Sequence, residues 1–351
     1  MVAERYFDHA ATTPLDPQVI QEMLPFMGEL AGNSESIHAF GQRAKAAVEL
    51  ARQRIADAVG AEAPEQIVFT SGSTEACNAV IRSFPAGVMS PFEHSAVREP
   101  GLLAGYQELH NVGTTLMPAA EPVALVAAMA VNNEIGTHWN PAELKGQADA
   151  VFADATQALG KTHFQVDGLD YAALSAHKVY GPQGVGAMYV ANDLPQWQLG
   201  GEQELGRRAG TLNVAGAVAF GVAVEIAMDK LEGRRTHAEN LRSVVLAELQ
   251  ELSDWRVNGE PAVPHILSIS VAGIEGETAV VELDHRGFAV SAGAACSSRK
   301  TEPSHVLTAL QLPEHYRRGT VRISFGDANS PESARDLGRA LSAIIANLRS
   351  L

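Results

Sequence analysis

Cysteine is scarce in this sequence. Cys77 and Cys296 are the two among 351 residues, too few for a disulfide framework and in keeping with a reducing compartment. Positive charge is also in deficit: 26 basic against 41 acidic residues leave a net charge of -15. That balance argues against a broad phosphate-binding surface, and so against nucleic acid as a direct substrate, while leaving room for one local anion site. Long apolar runs are missing too. The first residues, MVAERYFDHAATTP, carry charge where a secretory signal needs an uninterrupted apolar core, and no later stretch reaches a membrane span without interruption. Repeats and low-complexity tracts are absent, and no residue is assigned as a metal ligand. The expectation is a soluble, cytoplasmic protein with no membrane partner. A chain of this length can bury a large core and is long for a single domain, so one large and one smaller domain is expected.

What is present is alternation. Alanine-rich segments with helical spacing run over Gly41 to Val59, Val214 to Leu231 and His237 to Leu252. Between them lie short apolar runs ending in polar or glycine clusters: QIVFTSGSTE, AGVMSP, ALVAAMAVNNEIG, AVFADATQ, YAALSAHK and GAMYVAN. This pattern predicts an α/β architecture, a mainly parallel sheet covered by helices, with ligands gathered outside the carboxyl ends of the strands. Beyond about Leu231 a long helix, HILSISVAG, a helical TAVVELDHRG, AVSAGAACSS and VRISFGD suggest a smaller α+β domain joined by the amino-terminal arm.

Lys178, in SAHKVYGPQGVG, follows an apolar run that ends on Asp154 and is trailed by Gln157. Taken alone, such a lysine is a solvated loop residue. Beside Asp154 it makes a pyridoxal phosphate (PLP) site, the lysine supplying the Schiff base and the aspartate the partner of the pyridinium nitrogen. Gln157 is placed to donate to the ring oxygen. The segment TSGSTEACN, with Ser73 and Thr74, ends a strand and opens a helix, so backbone N–H groups, hydroxyls and the helix dipole converge there on an anion; helix capping with Glu75 in the first turn is the alternative. Thr211 in GRRAGTLN, with Ser175 and His177 beside the lysine, adds to the phosphate reading. His94 in EHSAV is a candidate for ring stacking or proton transfer, or else a structural histidine.

Arg322 lies in the apolar run VRISFGD, where an unpaired guanidinium is costly. It suits a substrate carboxylate, with Asn133 adding a hydrogen bond; a structural ion pair is the alternative. Cys296 sits among small and polar residues, followed by Arg299 and Lys300, a setting that favours thiolate. Cys77, on the helix after TSGSTE, reads as inert packing.

In succession, YFDHAATTP, TSGSTE, EHSAV, VNNEIGT, ADATQALGK, SAHKVYGPQGVG, GGEQELGRRAGT, GAACSS, EPSHVL and VRISFGD resemble the cysteine desulfurase family, PLP enzymes of the class V aminotransferase group. The resemblance covers nearly the whole chain. It implies fold type I, with a mainly parallel seven-stranded sheet. Residues 14–232 would form the large PLP-binding domain, and residues 1–13 and 233–351 the small α+β domain carrying the cysteine loop. It further implies Lys178 as the covalent PLP lysine, Asp154 on the pyridine nitrogen and Gln157 on the ring oxygen. His94 would stack on the ring, while Ser73, Thr74, Ser175 and His177 hold phosphate. Thr211 would reach the phosphate of the partner subunit in a homodimer. Asn133 and Arg322 would bind the carboxylate of L-cysteine, and Cys296 would take its sulfur as a persulfide for an acceptor protein.

Two departures stand out. The segments flanking EHSAV look shortened, and the sequence ends soon after its last helix, where relatives that feed iron–sulfur scaffolds carry an extension used in docking. Other class V enzymes (an aminotransferase, a selenocysteine lyase or a cysteine lyase) are the nearest alternatives. A silent sulfur carrier or assembly partner is disfavoured by the costly strand-end charges.

Overall fold

The computed structural model describes residues 3–293 and 304–350. Among these, the apolar runs of the first two thirds of the chain meet in one seven-stranded sheet. Its strands are β1 (Ile67–Thr70), β2 (Val88–Met89), β3 (Gln107–Glu108), β6 (Val123–Met129), β7 (Ala148–Asp154), β8 (Tyr171–Ser175) and β9 (Gly186–Val190). β4 (Asn111–Val112) and β5 (Thr115–Leu116) form a separate hairpin. The order across the sheet is β1-β9-β8-β7-β6-β2-β3.

Both faces of this sheet are covered, which is why its central strands read as unbroken apolar runs. Alternate residues serve opposite cores. Val126, Ala128, Val151, Ala153 and Leu174 join the core beneath α2 (Ala39–Val59) and α5 (Val214–Asp229), with α1 (Pro17–Met27) packed on α5. Leu125, Ala127, Phe152 and Ala173 join the core beneath α3 (Ser73–Ser83) and α4 (Ser95–Leu103). α5 is buried on nearly every side, since it lies between other helices and the sheet. Each fully buried side chain such as Phe152 or Phe220 contributes about 1.5–3 kcal/mol.

β9 corrects one expectation. It runs antiparallel to β8 and to β1, so the end of GAMYVAN lies on the edge opposite the other strand ends. The connection from Lys178 to Gly186 is too short for a parallel crossover, which needs about a dozen residues or more. β9 therefore offers its first residue, Gly186, to the ligand edge.

A second core gathers Phe7 with residues of α6 (Leu231–Ala247), α7 (Gly276–His285) and α10 (Pro331–Arg349). These pack on a three-stranded antiparallel sheet of β10 (Trp255–Val257), β11 (Ile266–Val271) and β12 (Thr320–Ser324). Two short helices, α8 (His305–Ala309) and α9 (Glu314–Arg317), precede β12. α6 begins and ends earlier than the spacing suggested. Gly233 is tolerated inside it, and buried Leu249 prolongs the apolar period beyond the last helical turn. The amino-terminal arm bridges to Ala289 through Tyr6 and to Ser324 through Asp8. No helix among the described residues is long and apolar enough to cross a membrane.

Candidate active site

Strand register puts the chemistry on one edge. Asp154, the last residue of β7, lies level with Met129 on one neighbour and Ala173 on the other. Two residues further on, Ser175 faces Gly186, which in turn faces Thr70. Asp154 is buried, and its Oδ1 accepts from the Thr156 amide at 3.0 Å. Behind it Glu93 is fully buried, its Oε1 accepting from the Met129 amide at 2.6 Å. Burial, and then the Asp154 charge, push the Glu93 pKa well above the usual carboxylate range. Glu93 is therefore biased toward its neutral form beside Asp154.

The TSGST turn supplies the anion subsite. Its N-cap to α3 is Gly72, which offers no side-chain cap; the Glu75 and Ala76 amides bond the Gly72 carbonyl, so among the described residues the N–H groups of Ser73 and Thr74 are left for a ligand beside their hydroxyls. A Cβ at Gly186 would stand 2.7 Å from the Gly72 Cα; glycine there lets the turn fold over β9. Glu75 does not cancel this subsite, because its carboxylate faces the Ser71 amide (2.7 Å), Trp197 Nε1 (3.1 Å) and Arg208 Nε (2.9 Å). Glu75 is thus a clamp between α3 and the GRRAGT loop. Glu204 clamps the same loop to β1, accepting from Arg52 at 2.7 Å and from the Phe69 amide at 2.6 Å. Thr211 is exposed on this loop and precedes α5, whose N-cap is Asn213.

Burial would raise the Glu75 pKa, but its bonds from Arg208, Ser71 and Trp197 outweigh this and bring it down to about 2 from 4.5. A carboxyl lowered in the folded state stabilises the fold fully above its unfolded pKa, and that contribution is lost as pH falls toward 2. Glu75→Gln is expected to cost about 1–3 kcal/mol at neutral pH and to weaken the fall in stability between pH 4.5 and 2. Urea denaturation across that range checks it; parallel curves for parent and variant would contradict the clamp.

Lys178 reaches the arm. Its Nζ donates to the carbonyl oxygens of Ala10 (2.8 Å) and Ala11 (2.6 Å). Gln157, buried, donates through Nε2 to the same Ala10 oxygen at 2.8 Å and accepts through Oε1 from Lys161 at 2.8 Å. His177 Nδ1 lies 3.1 Å from Thr12 Oγ1, and the His177 carbonyl accepts from Thr13 N and Oγ1. Burial, then Lys178 and Lys161, lower the His177 pKa to about 4. His177 is neutral at pH 7.

His94 is the N-cap of α4, its Nδ1 accepting from the Ala96 amide at 3.1 Å. This places the proton of the neutral ring on Nε2. Arg322 is held by Asp8 Oδ1 at 2.7 Å, Ser291 Oγ at 3.0 Å and the Asn133 carbonyl at 2.8 Å, while its buried Nε has no hydrogen-bond partner among the described residues. Asn133 and Arg322 are thus brought together, with an ion pair to Asp8. Glu134 accepts from Ser304 Oγ at 2.6 Å; burial raises its pKa against that bond and the nearby His305, Arg322 and His94. Cys77 is fully buried, and its thiol is pushed well above the usual range, chiefly by burial. Cys296 lies outside the described residues.

The edge fits a group bearing a phosphate and a protonated ring nitrogen: an uncapped helix N-terminus, a buried carboxylate and a lysine amine surround it. Comparison with known proteins agrees. The class V aminotransferase family model matches residues 5–337. The cysteine desulfurase IscS of Dictyoglomus turgidum is 37% identical over 385 aligned positions, covering 100% of this chain and 97% of that protein. The chain belongs to the cysteine desulfurase family of class V aminotransferases. A cysteine desulfurase of Cereibacter sphaeroides is also 37% identical, across 99% of this chain and 97% of its own length. Among solved structures, a NifS-like protein is 30% identical with a TM-score of 0.88, over 98% of this chain and all of that one. DndA from Streptomyces lividans is 31% identical with a TM-score of 0.73, over 90% and 97% of the two chains.

Against this family the 385 aligned positions exceed the 351 residues by 34. Residues 109–122, between β3 and β6, carry only the β4–β5 hairpin, where a parallel crossover usually brings a helix. Sequence reasoning missed Asp8, Lys161, Glu93 and Glu134. The signals were present in YFDHAATTP, ALGK, FEHS and NNEIG, but nothing in residue spacing ties the arm to Arg322 or to Lys178.

Proposed function

We propose that this cysteine desulfurase family member converts L-cysteine to L-alanine and passes the sulfur, through a persulfide on Cys296, to an acceptor protein. The observation that carries the reading is the convergence of Lys178, Asp154, Gln157 and the uncapped α3 N-terminus on one sheet edge. PLP would be held covalently by Lys178, with Asp154 at the ring nitrogen, Gln157 at the ring oxygen and His94 on the ring face. Ser73, Thr74, Ser175 and His177 would take the phosphate. When bound, PLP supplies an electron sink that stabilises negative charge at the substrate Cα.

The chain's own residues do the rest. Arg322 and Asn133 receive the substrate carboxylate and fix its Cα within reach of Lys178 Nζ, which takes the Cα proton. The Cys296 thiolate attacks the substrate sulfur; a sulfur–sulfur bond forms, the Cβ–sulfur bond breaks with its electrons left on carbon, and a proton on Cβ completes alanine. Exposed Thr211, on a loop fastened by Glu75 and Glu204, supports a homodimer in which it reaches the partner's phosphate subsite. Light scattering that returns a monomer would remove that part.

The deciding experiment supplies L-cysteine with a reductant and measures alanine and sulfide. Cys296→Ser is expected to keep the yellow PLP absorbance and lose sulfide release by about 10²-fold or more. Unchanged sulfide release would rule out the persulfide route. A keto acid in place of alanine would point to transamination or lyase chemistry, and a protein colourless after PLP addition would end the enzyme reading.

A further inference from the structure

Lys161 is a costly residue in its position. It lines a small cavity of about 40 Å³ behind Lys178, together with His9, His265 and Arg234. No carboxylate among the described residues lies within ion-pair distance of it. The residue is part-buried, but its amine is surrounded by protein; that desolvation, with the charges of Lys178, Arg234 and Arg322, pushes its pKa well below the usual lysine range. Around the same cavity Arg234 is paired with Asp327 at 2.6 Å, whereas neither ring nitrogen of His9, nor Nε2 of His265, has a hydrogen-bond partner among the described residues. A methionine would fill this place at lower cost, since an unpaired amine loses its hydration without an ionic return.

The return lies in what the amine touches. Lys161 Nζ donates to Gln157 Oε1 at 2.8 Å, which turns Gln157 Nε2 toward the Ala10 carbonyl, also at 2.8 Å. That carbonyl is one of the two on which Lys178 Nζ rests. Four groups from three parts of the chain are thus linked in series: Lys161, Gln157, Ala10 of the arm, and Lys178. Without Lys161 the Gln157 carboxamide loses the one anchor its oxygen has among the described residues, and the arm carbonyl loses a neighbour that holds it in place.

We propose that Lys161 is a positioning residue, a strut that acts through Gln157 to fix the Ala10 carbonyl seat of the Lys178 amine. This rests on the reading of Lys178 as the reactive amine. It touches neither substrate nor reacting atoms, so its loss reads out as a change in where Lys178 is held.

The test labels the full chain without PLP, using a limiting amine-reactive reagent and peptide mass spectrometry. In Lys161→Met, Lys178 is expected to label about threefold to tenfold faster, the range one lost hydrogen bond gives, while exposed Lys45 and Lys145 label as in the parent. Lys161→Arg, which restores an N–H donor, is expected to label like the parent. In a Gln157→Met background the Lys161→Met change should add nothing. With PLP bound, the visible circular dichroism of Lys161→Met should fall severalfold.

A parental labelling rate in Lys161→Met, or an equal effect with and without Gln157, would overturn the strut. So would failure of both Lys161→Met and Lys161→Gln to fold, which would make Lys161 a structural residue. A parent that never takes up PLP would sink the cofactor reading and leave the labelling result standing.

Discussion

Lys178→Ala is expected to give a folded protein that stays colourless with PLP and forms alanine and sulfide about 10⁴-fold more slowly, the upper end of what a positioned proton-transfer group contributes. Lys178 is part-buried, and its Nζ donates to two backbone carbonyls. Removing it leaves the Ala11 oxygen short of a donor, while the Ala10 oxygen keeps Gln157 Nε2, a cost of about 1–3 kcal/mol at most, which water entering from the adjoining cavity reduces. The fold should therefore survive. A Lys178→Ala protein that remains yellow after gel filtration, or turns over cysteine within tenfold of the parent, would contradict the assignment of the covalent lysine.

Arg322→Met should act on stability and on substrate together. The guanidinium is almost fully buried and serves Asp8, Ser291 and the Asn133 carbonyl at once. Truncating one partner of such a pair costs about 3–5 kcal/mol, because the other charge is left behind without its counter-ion. Adding Asp8→Asn removes that stranded charge, and is expected to recover a large part of the stability measured in urea. It should not recover cysteine turnover, since the carboxylate contact is still missing. If the double variant regains activity along with stability, Arg322 is a structural ion pair alone. If neither falls, the reading of both residues is wrong.

Of the two alternatives left open for Arg322 from sequence, the ion pair is present, and the double variant tests the carboxylate contact. The apolar strand of Arg322 announced that the charge must be paired, but the partner, Asp8, is 314 residues away. The same limit applies to Glu75. Its place in the first turn of a helix suggested capping, whereas its partners Trp197 and Arg208 come from a loop that sequence spacing does not bring near. His94 shows the reverse case: the N-cap function is local, with Nδ1 bonded two residues on.

Strands and most helices were legible because burial on both faces writes itself as apolar runs, and a helix against a sheet writes itself as a period. Their ends were less so. α6 was displaced because glycine and apolar residues occur on both sides of its true boundaries, and β9 was turned over because direction depends on connection length and pairing.

By itself the sequence determined the α/β character, the strand-end location of Asp154 and Lys178, the glycine-hydroxyl turn that opens α3 and, through the order of its motifs, the family. These are local properties, set by burial periodicity, backbone freedom and side-chain chemistry over a few residues. Only the tertiary structure decided that the amino-terminal arm supplies the carbonyls under Lys178, that Asp8 holds Arg322, and that Lys161 braces Gln157. Those contacts join segments far apart in the chain, and only the packing of the two cores, with the arm drawn between them, brings their atoms within hydrogen-bond range.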